Sequence, residues 1–306
     1  MSRRFHVFLN DDAGSVDDVA TQSAQIRRAF GEHGIDATIV AVDVTELQKA
    51  MRSAWHSGTD ALVIAGGDGT VNCAAQAAIG SDIVMGVLPM GTFNHFAKDL
   101  GTPADLAEAV RFLAEAETTS VDVGEVNGKA FVNNASIGVY PEIVSEREEL
   151  RARLAWGKLR AAPVAFARTL RRLPVLHLRM TIDGSPPVDV DTPTLFVGNG
   201  LFDERGRRVG HRTSLSDHRL AIYVIATTSP WRLISNALRS RLGGLDAAPG
   251  MNRYACEELR IDSDQTTLTI ALDGEPTDLH GPLVFRSRAA ALRVLGAPIQ
   301  AEEGAI

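Results

Sequence analysis

Four short apolar runs, at residues 5–9, 37–42, 61–65 and 83–88, each precede a helix-forming stretch in the first 120 residues. The intervening helices are expected at 16–30, 45–56 and 71–79, with two more near 94–99 and 103–115. Runs this short and this uniformly apolar are strands buried on both faces. Strands of that kind alternating with helices form a parallel sheet covered on each side.

The pattern changes after Ser120. The stretch "VDVGEVNGKAFVNNASIGVY" places two strands around Asn127-Gly128, a type I′ hairpin signal. A helical, basic stretch is expected over 142–172. Short strands follow at 175–182, 194–198, 220–226, 258–261 and 268–272, with a turn at Asp183-Gly184 and one helix at 231–241. The chain therefore reads as an α/β domain with a parallel sheet, residues 1–122, and a β-rich antiparallel, sandwich-like second domain, 123–290. The last stretch, 291–306, is expected to pack back on the first domain.

A chain of 306 residues, 45% hydrophobic and 23% charged, can bury a substantial core. It contains no long uninterrupted apolar segment of transmembrane length and no signal-peptide pattern, so a cytoplasmic protein is expected. Cys73 and Cys256 read as small core residues rather than a disulfide or metal pair. A net charge of −7 argues against nucleic acid as a partner. The charge is uneven, however: residues 151–180 hold eight basic side chains and no acidic one.

One strand end concentrates unusual residues. "LVIAGGDGTVN" runs from an apolar strand into Gly66-Gly67-Asp68-Gly69-Thr70 and then a helix. Ligands of parallel sheets bind at the carboxyl ends of strands, where glycines admit positive φ and close approach and helix amides face an anion. An Asp beside phosphate implies a cation or a reacting hydroxyl between them, hence a nucleotide with Mg²⁺. A tight turn with a capping Asp or Thr would use the same residues. The next strand ends likewise, in "LPMGTFNHFAKDL", with Gly91-Thr92 before Asn94 in an N-cap position. The chain has neither a P-loop signature nor a G-x-G-x-x-G after its first strand.

"GGDGTVN" followed by "GTFNHFA" closely resembles the diacylglycerol kinase catalytic family, in particular its bacterial soluble lipid kinases. Sphingosine and ceramide kinases are members, and NAD kinases more distant relatives. "FLNDDAG" resembles the family's first-strand Asn-Pro-x-x-Gly loop, with Asp11 in the proline's place. "DHRLAIYVI" resembles its Asp-Gly-Leu strand, and "LDGEP" its Asp-Gly-Glu motif. The likeness extends from about residue 5 to the C-terminus.

The resemblance implies ATP and lipid meeting in a cleft between two domains. It assigns ATP binding to Gly66, Gly67, Asp68, Gly69, Thr70, Val71, Asn72, Gly91, Thr92 and Asn94, completed by Asn10, Asp11, Asp12, Ala13 and Gly14. It assigns general-base work to the Asp273-Gly274-Glu275 turn, with the spacing leaving open which carboxylate removes the proton; Asp68 is the rival base, or orients Mg-ATP. It also implies a Mg²⁺ site of Asp217 with the carbonyls of Ser214 and Arg219.

Besides Asp11, other positions depart from the family pattern: His95 replaces an acidic residue, His218 a glycine, a threonine after the second strand is missing near Ala41 and Val42, and "DERGRRVGHRT" stands where a glycine-rich run precedes the metal strand. The expected activity is transfer of the γ-phosphoryl group of ATP to a hydroxyl of diacylglycerol or a related lipid. The alternatives are a kinase for a soluble alcohol, as in the NAD kinase branch, and a non-catalytic nucleotide-binding regulator. A lipid substrate without a membrane span directs attention to residues 151–180 as a contact with anionic membrane.

Overall fold

In the computed structural model, residues 3–11, 16–139, 141, 175–203, 212–225 and 250–297 are described. The predicted helix at 231–241 and most of the basic segment lie outside them. The chain divides into two compact units: 1–123 with 214–216 and 289–306, and 124–213 with 217–288.

The first unit is built on parallel strands. β1 (Arg4–Asn10) lies between β2 (Asp36–Val42) and β3 (Ala61–Gly66), and β4 (Val84–Pro89) pairs with β3. β3 is buried at every residue, the signature of a strand covered on both faces. Phe5, Val7, Leu9, Val63 and Ala65 pack with Ile26, Phe30, Val110 and Leu113. Those partners come from α1 (Val16–Glu32) and α5 (Leu106–Glu115). Strand alternation sends Leu62 and Ile64 to the other face, toward α2 (Val44–Trp55) and α3 (Asp68–Ala78). Buried Ala74, Ala75 and Ala78 let α3 lie close to the sheet.

Local chemistry sets the helix starts more sharply than the sequence pattern does. Asp43 caps α2, its carboxylate accepting the Thr45 amide at 2.7 Å. Asp105 caps α5 through the amides of Ala107 and Glu108, so that helix begins after Pro103. α3 begins at Asp68, three residues before its expected start, which puts Asp68, Gly69 and Thr70 in its first turn.

The second unit is antiparallel throughout its described ladders. Asn127 (φ 46°) and Gly128 (φ 82°) join β5 (Thr118–Val126) to β6 (Lys129–Phe131), both in the left-handed region that a type I′ turn requires. One sheet runs β12 (Met251–Cys256), β11 (Leu220–Ile225), β10 (Thr194–Asn199), β7 (Asn134–Gly138), β14 (Thr267–Leu272), β15 (Glu275–His280). Facing it are β9 (Val188–Thr192), β8 (Leu176–Ile182), β13 (Glu258–Ser263) and the first part of β16 (Leu283–Leu295). The inward residues of both sheets, among them Ile137, Leu195, Ile222, Ile270, Leu178, Ile261 and Phe285, form one core. That is a β-sandwich.

β16 serves both units. Its early residues pair with β13, while Arg293 and Val294 run parallel to Val84 and Met85 of β4. Four strands, β9, β12, β15 and β16, go beyond those expected from the sequence. Phe131 is fully buried and meets Phe285 edge-on, with centroids 6.4 Å apart. Phe131→Ala is therefore expected to cost about 3–5 kcal/mol, read as a lowered denaturant midpoint with an unchanged slope.

Candidate active site

In the first unit the parallel register brings three strand ends to one edge. Gly66 of β3 stands opposite Pro89 of β4, and Asn10 closes β1. The Asn10 side chain donates from Nδ2 to Thr70 Oγ1 at 3.3 Å, which ties the β1 end to the first turn of α3. The first helical bond of α3 is Val71 N–H to Gly67 C=O, and Gly67 offers no side-chain cap. The amides of Asp68, Gly69 and Thr70 are thus without a protein acceptor among the described residues. Open amides at the start of an 11-residue helix form an anion-binding end.

The glycines serve this edge by closeness rather than by positive φ. Gly67 has φ −91°, and Gly66, Gly69 and Gly91 are likewise outside the left-handed region, which corrects the conformational role expected of them. A Cβ on Gly91 would stand 2.5 Å from the Gly67 Cα, and a Cβ on Gly66 would stand 2.8 Å from the Thr70 Cβ. The two strand-end turns touch backbone to backbone.

Asp68 locks that contact. Its carboxylate accepts the Asn94 amide at 3.0 Å and the His95 amide at 2.8 Å, capping α4 (His95–Asp99) from outside. Asn94 holds the N-cap position but does not cap with its side chain. Left-handed at φ 52°, it instead brackets Gly91, accepting its amide at 2.9 Å and donating to its carbonyl at 2.7 Å. Thr92 and Asp11 are exposed, while Val71 and Asn72 are buried in α3. Asp12, Ala13 and Gly14 lie outside the described residues.

The second unit holds the other candidate carboxylates. Asp273 sits at φ 48° between β14 and β15, and its carboxylate accepts three backbone amides: Val132 at 2.8 Å, Asn133 at 2.7 Å and Asn134 at 2.9 Å. Burial pushes its pKa from the ordinary 3.8 up to about 6; the three amides and the charge of Arg212 oppose the rise. The side chain of Glu275, two residues on, is exposed and makes no hydrogen bond or ion pair among the described residues. The turn thus carries one anchored carboxylate and one free one.

The three residues of the expected metal set lie among the described residues. Ser214 belongs to the first unit, Asp217 and Arg219 to the second. Asp217 accepts the Arg219 amide at 3.3 Å, and the Arg219 carbonyl already accepts the Gly200 amide at 2.9 Å. The described residues contain no group of three or more His, Cys, Asp or Glu able to hold a metal ion. His218 has a left-handed backbone at φ 57°, a conformation that favours glycine.

Arg212 is the residue the sequence did not single out. It is 3% exposed and lies among the backbone groups that surround Asp273.

Two outcomes follow from this geometry. Gly91→Ala forces the Gly67 and Gly91 turns apart and lowers the melting temperature more than Gly67→Ala, where the new Cβ meets only a 3.3 Å contact. For Asp273, the unfolded chain loses its proton at lower pH than the folded one, so this group's contribution to stability falls as pH rises from about 4 to about 6. Denaturant titrations across that range are expected to show a steeper fall in the wild type than in Asp273→Asn.

Residues 4–126 match the diacylglycerol kinase catalytic domain. A diacylglycerol kinase of Mycobacterium tuberculosis (strain ATCC 25618 / H37Rv) is 30% identical over 208 residues, 66% of this chain and 66% of its own length. A protein of Enterobacter sp. (strain 638) named probable lipid kinase YegS-like is 34% identical over 265 residues, 82% of this chain and 84% of its own. Among solved structures, a diacylglycerol kinase from Bacillus anthracis str. Sterne shares the fold with a TM-score of 0.66 at 18% identity, covering 97% of each chain. The chain belongs to the diacylglycerol kinase catalytic family of lipid kinases.

Proposed function

We propose that this protein transfers the γ-phosphoryl group of ATP to a hydroxyl of diacylglycerol or a related lipid. The observation that carries this reading is the open first turn of α3, whose three amides meet no protein acceptor at the carboxyl edge of a parallel sheet. In this reading the first unit is the ATP-binding domain. Asn10, Thr70 and the amides of Asp68, Gly69 and Thr70 hold phosphate oxygens, with the Gly91-Thr92 turn beside them. Asp68 is spent on the Asn94 and His95 amides, so its part is to fix the two turns rather than to move a proton.

The second unit supplies the base. Asp273 has three of its acceptor positions filled by amides, whereas Glu275 is free and exposed. Glu275 takes the proton from the lipid hydroxyl, and Asp273 holds the turn that presents it. A divalent ion fits the chemistry but not a protein-only cage: Asp217 supplies one carboxylate, and Mg²⁺ is ordinarily completed by substrate phosphates and water. When bound, such an ion neutralises charge on the phosphates during transfer.

The names of the relatives favour a lipid over a soluble alcohol as acceptor. A lipid acceptor places the reaction at a bilayer surface, here the inner face of the cytoplasmic membrane. No helix among the described residues is long and apolar enough to cross one. Of the eight basic residues in 151–180, Arg179 lies on β8 in an ion pair with Asp189, and the rest lie outside the described residues.

Purified protein with Mg-ATP and diacylglycerol in mixed micelles is expected to form lipid phosphate. Phosphate appearing only on soluble alcohols, or no transfer at all, would overturn the proposal. Glu275→Gln is expected to lower kcat by roughly 10² to 10⁴-fold with ATP binding retained. Near-normal turnover in that variant would remove Glu275 as the base.

A further inference from the structure

Two successive peptide units of the second unit donate to the Asp273 carboxylate, and the first of them reaches a buried cation at its other end. The Val132 carbonyl accepts Arg212 Nη1 at 2.6 Å and Asn199 Nδ2 at 3.1 Å. The other end of that peptide, the Asn133 N–H, donates to Asp273 Oδ1 at 2.7 Å. The next peptide repeats the arrangement: the Asn133 carbonyl accepts the Asn199 amide at 3.0 Å, and the Asn134 N–H donates to the same Oδ1 at 2.9 Å. Arg212 Nη1 also reaches the Asn199 carbonyl at 3.2 Å, and Nη2 holds the Asn133 side-chain oxygen at 2.9 Å.

A buried guanidinium is costly to desolvate and persists only where its donors are met. Here they are met by the carbonyl side of the segment whose amide side meets the carboxylate. The dipole of the Val132–Asn133 peptide therefore lies between the two charges, while the Asn133–Asn134 peptide is held at its carbonyl by the Asn199 amide, and hydrogen bonds in such a chain strengthen one another. The fork of the guanidinium matters as much as its charge, because one head group serves Val132, Asn133 and Asn199 together.

We infer that Arg212 is a positioning residue for phosphoryl transfer: through the backbone of residues 132–134 it fixes Asp273, and with it the turn that carries Glu275. The inference rests on the assignment of Glu275 as the base. It concerns a residue that touches no reacting atom and acts over two peptide units.

The test is a double-mutant cycle in the full-length protein, using Arg212→Met, Asp273→Asn and the pair, with Arg212→Lys as a second single variant. Melting temperature, kcat and the KM for ATP are read for each. Arg212→Met is expected to lower kcat about ten-fold or more, as misplacement of a catalytic group does, with the KM for ATP little changed. Arg212→Lys, which keeps the charge without the fork, is expected to recover part of that loss and not all of it. The double variant is expected to lose no more than the worse single one, because both remove the same coupled element. Single effects that multiply in the folded double variant, or a wild-type kcat in Arg212→Lys, would overturn the inference. If the wild type phosphorylates no lipid, the functional reading fails instead, and the melting temperatures alone still decide whether Arg212 and Asp273 are coupled.

Discussion

The carboxylate of Asp68 is the constraint on which the first unit's candidate site depends. Two strand ends that meet through glycine backbone have no side chains with which to grip each other. Asp68 supplies the grip from one side by accepting the amides of Asn94 and His95, and Asn94 supplies it from the other by bracketing Gly91. Because Asp68 opens α3 yet caps α4, its charge is neutralised at a neighbouring helix start, and the amides of its own helix stay open.

The second unit uses the same device at a different place. Asp273 lies against three consecutive amides, and burial rather than any neighbouring anion sets its raised pKa. In both units, then, an aspartate of a recognisable motif is committed to backbone amides, and a nearby group is left available: three amides beside Asp68, the Glu275 carboxylate beside Asp273.

Much of this was legible in the sequence, and the failures have identifiable causes. The parallel strands could be read because burial on both faces leaves uninterrupted apolar runs such as Ala61–Gly66. β15 escaped because it is an edge strand containing Pro276, Asp278 and His280, and β9 because its "VDVDT" sequence alternates charge on a partly exposed edge. β16 contains "RAAALRV", a composition that favours helix, and tertiary pairing overrides it. The start of α3 was placed late because glycine and aspartate read as loop, whereas here they form its first turn. Motif spacing identified the Asp273-Gly274-Glu275 turn but could not divide its two carboxylates, since the division is made by amides 139 to 141 positions away. Arg212 gave no signal at all, lying in a run of basic residues that reads as solvated.

β16 bears on how such a chain can be made. The parallel sheet of the first unit ends at β4, and the ladder beyond β4 is supplied by residues near 293, with Arg293 also reaching the Asp82 carbonyl 211 positions earlier. A nascent chain leaving the ribosome therefore presents β4 as a bare edge until residues near 293 have emerged. Closure of this sheet waits on that distant segment, and the loop it closes encloses nearly all of the sandwich sequence. Slow, late pairing of that kind is characteristic of high contact order. It makes the C-terminal strand, rather than either motif, the step that commits the first unit to its finished form.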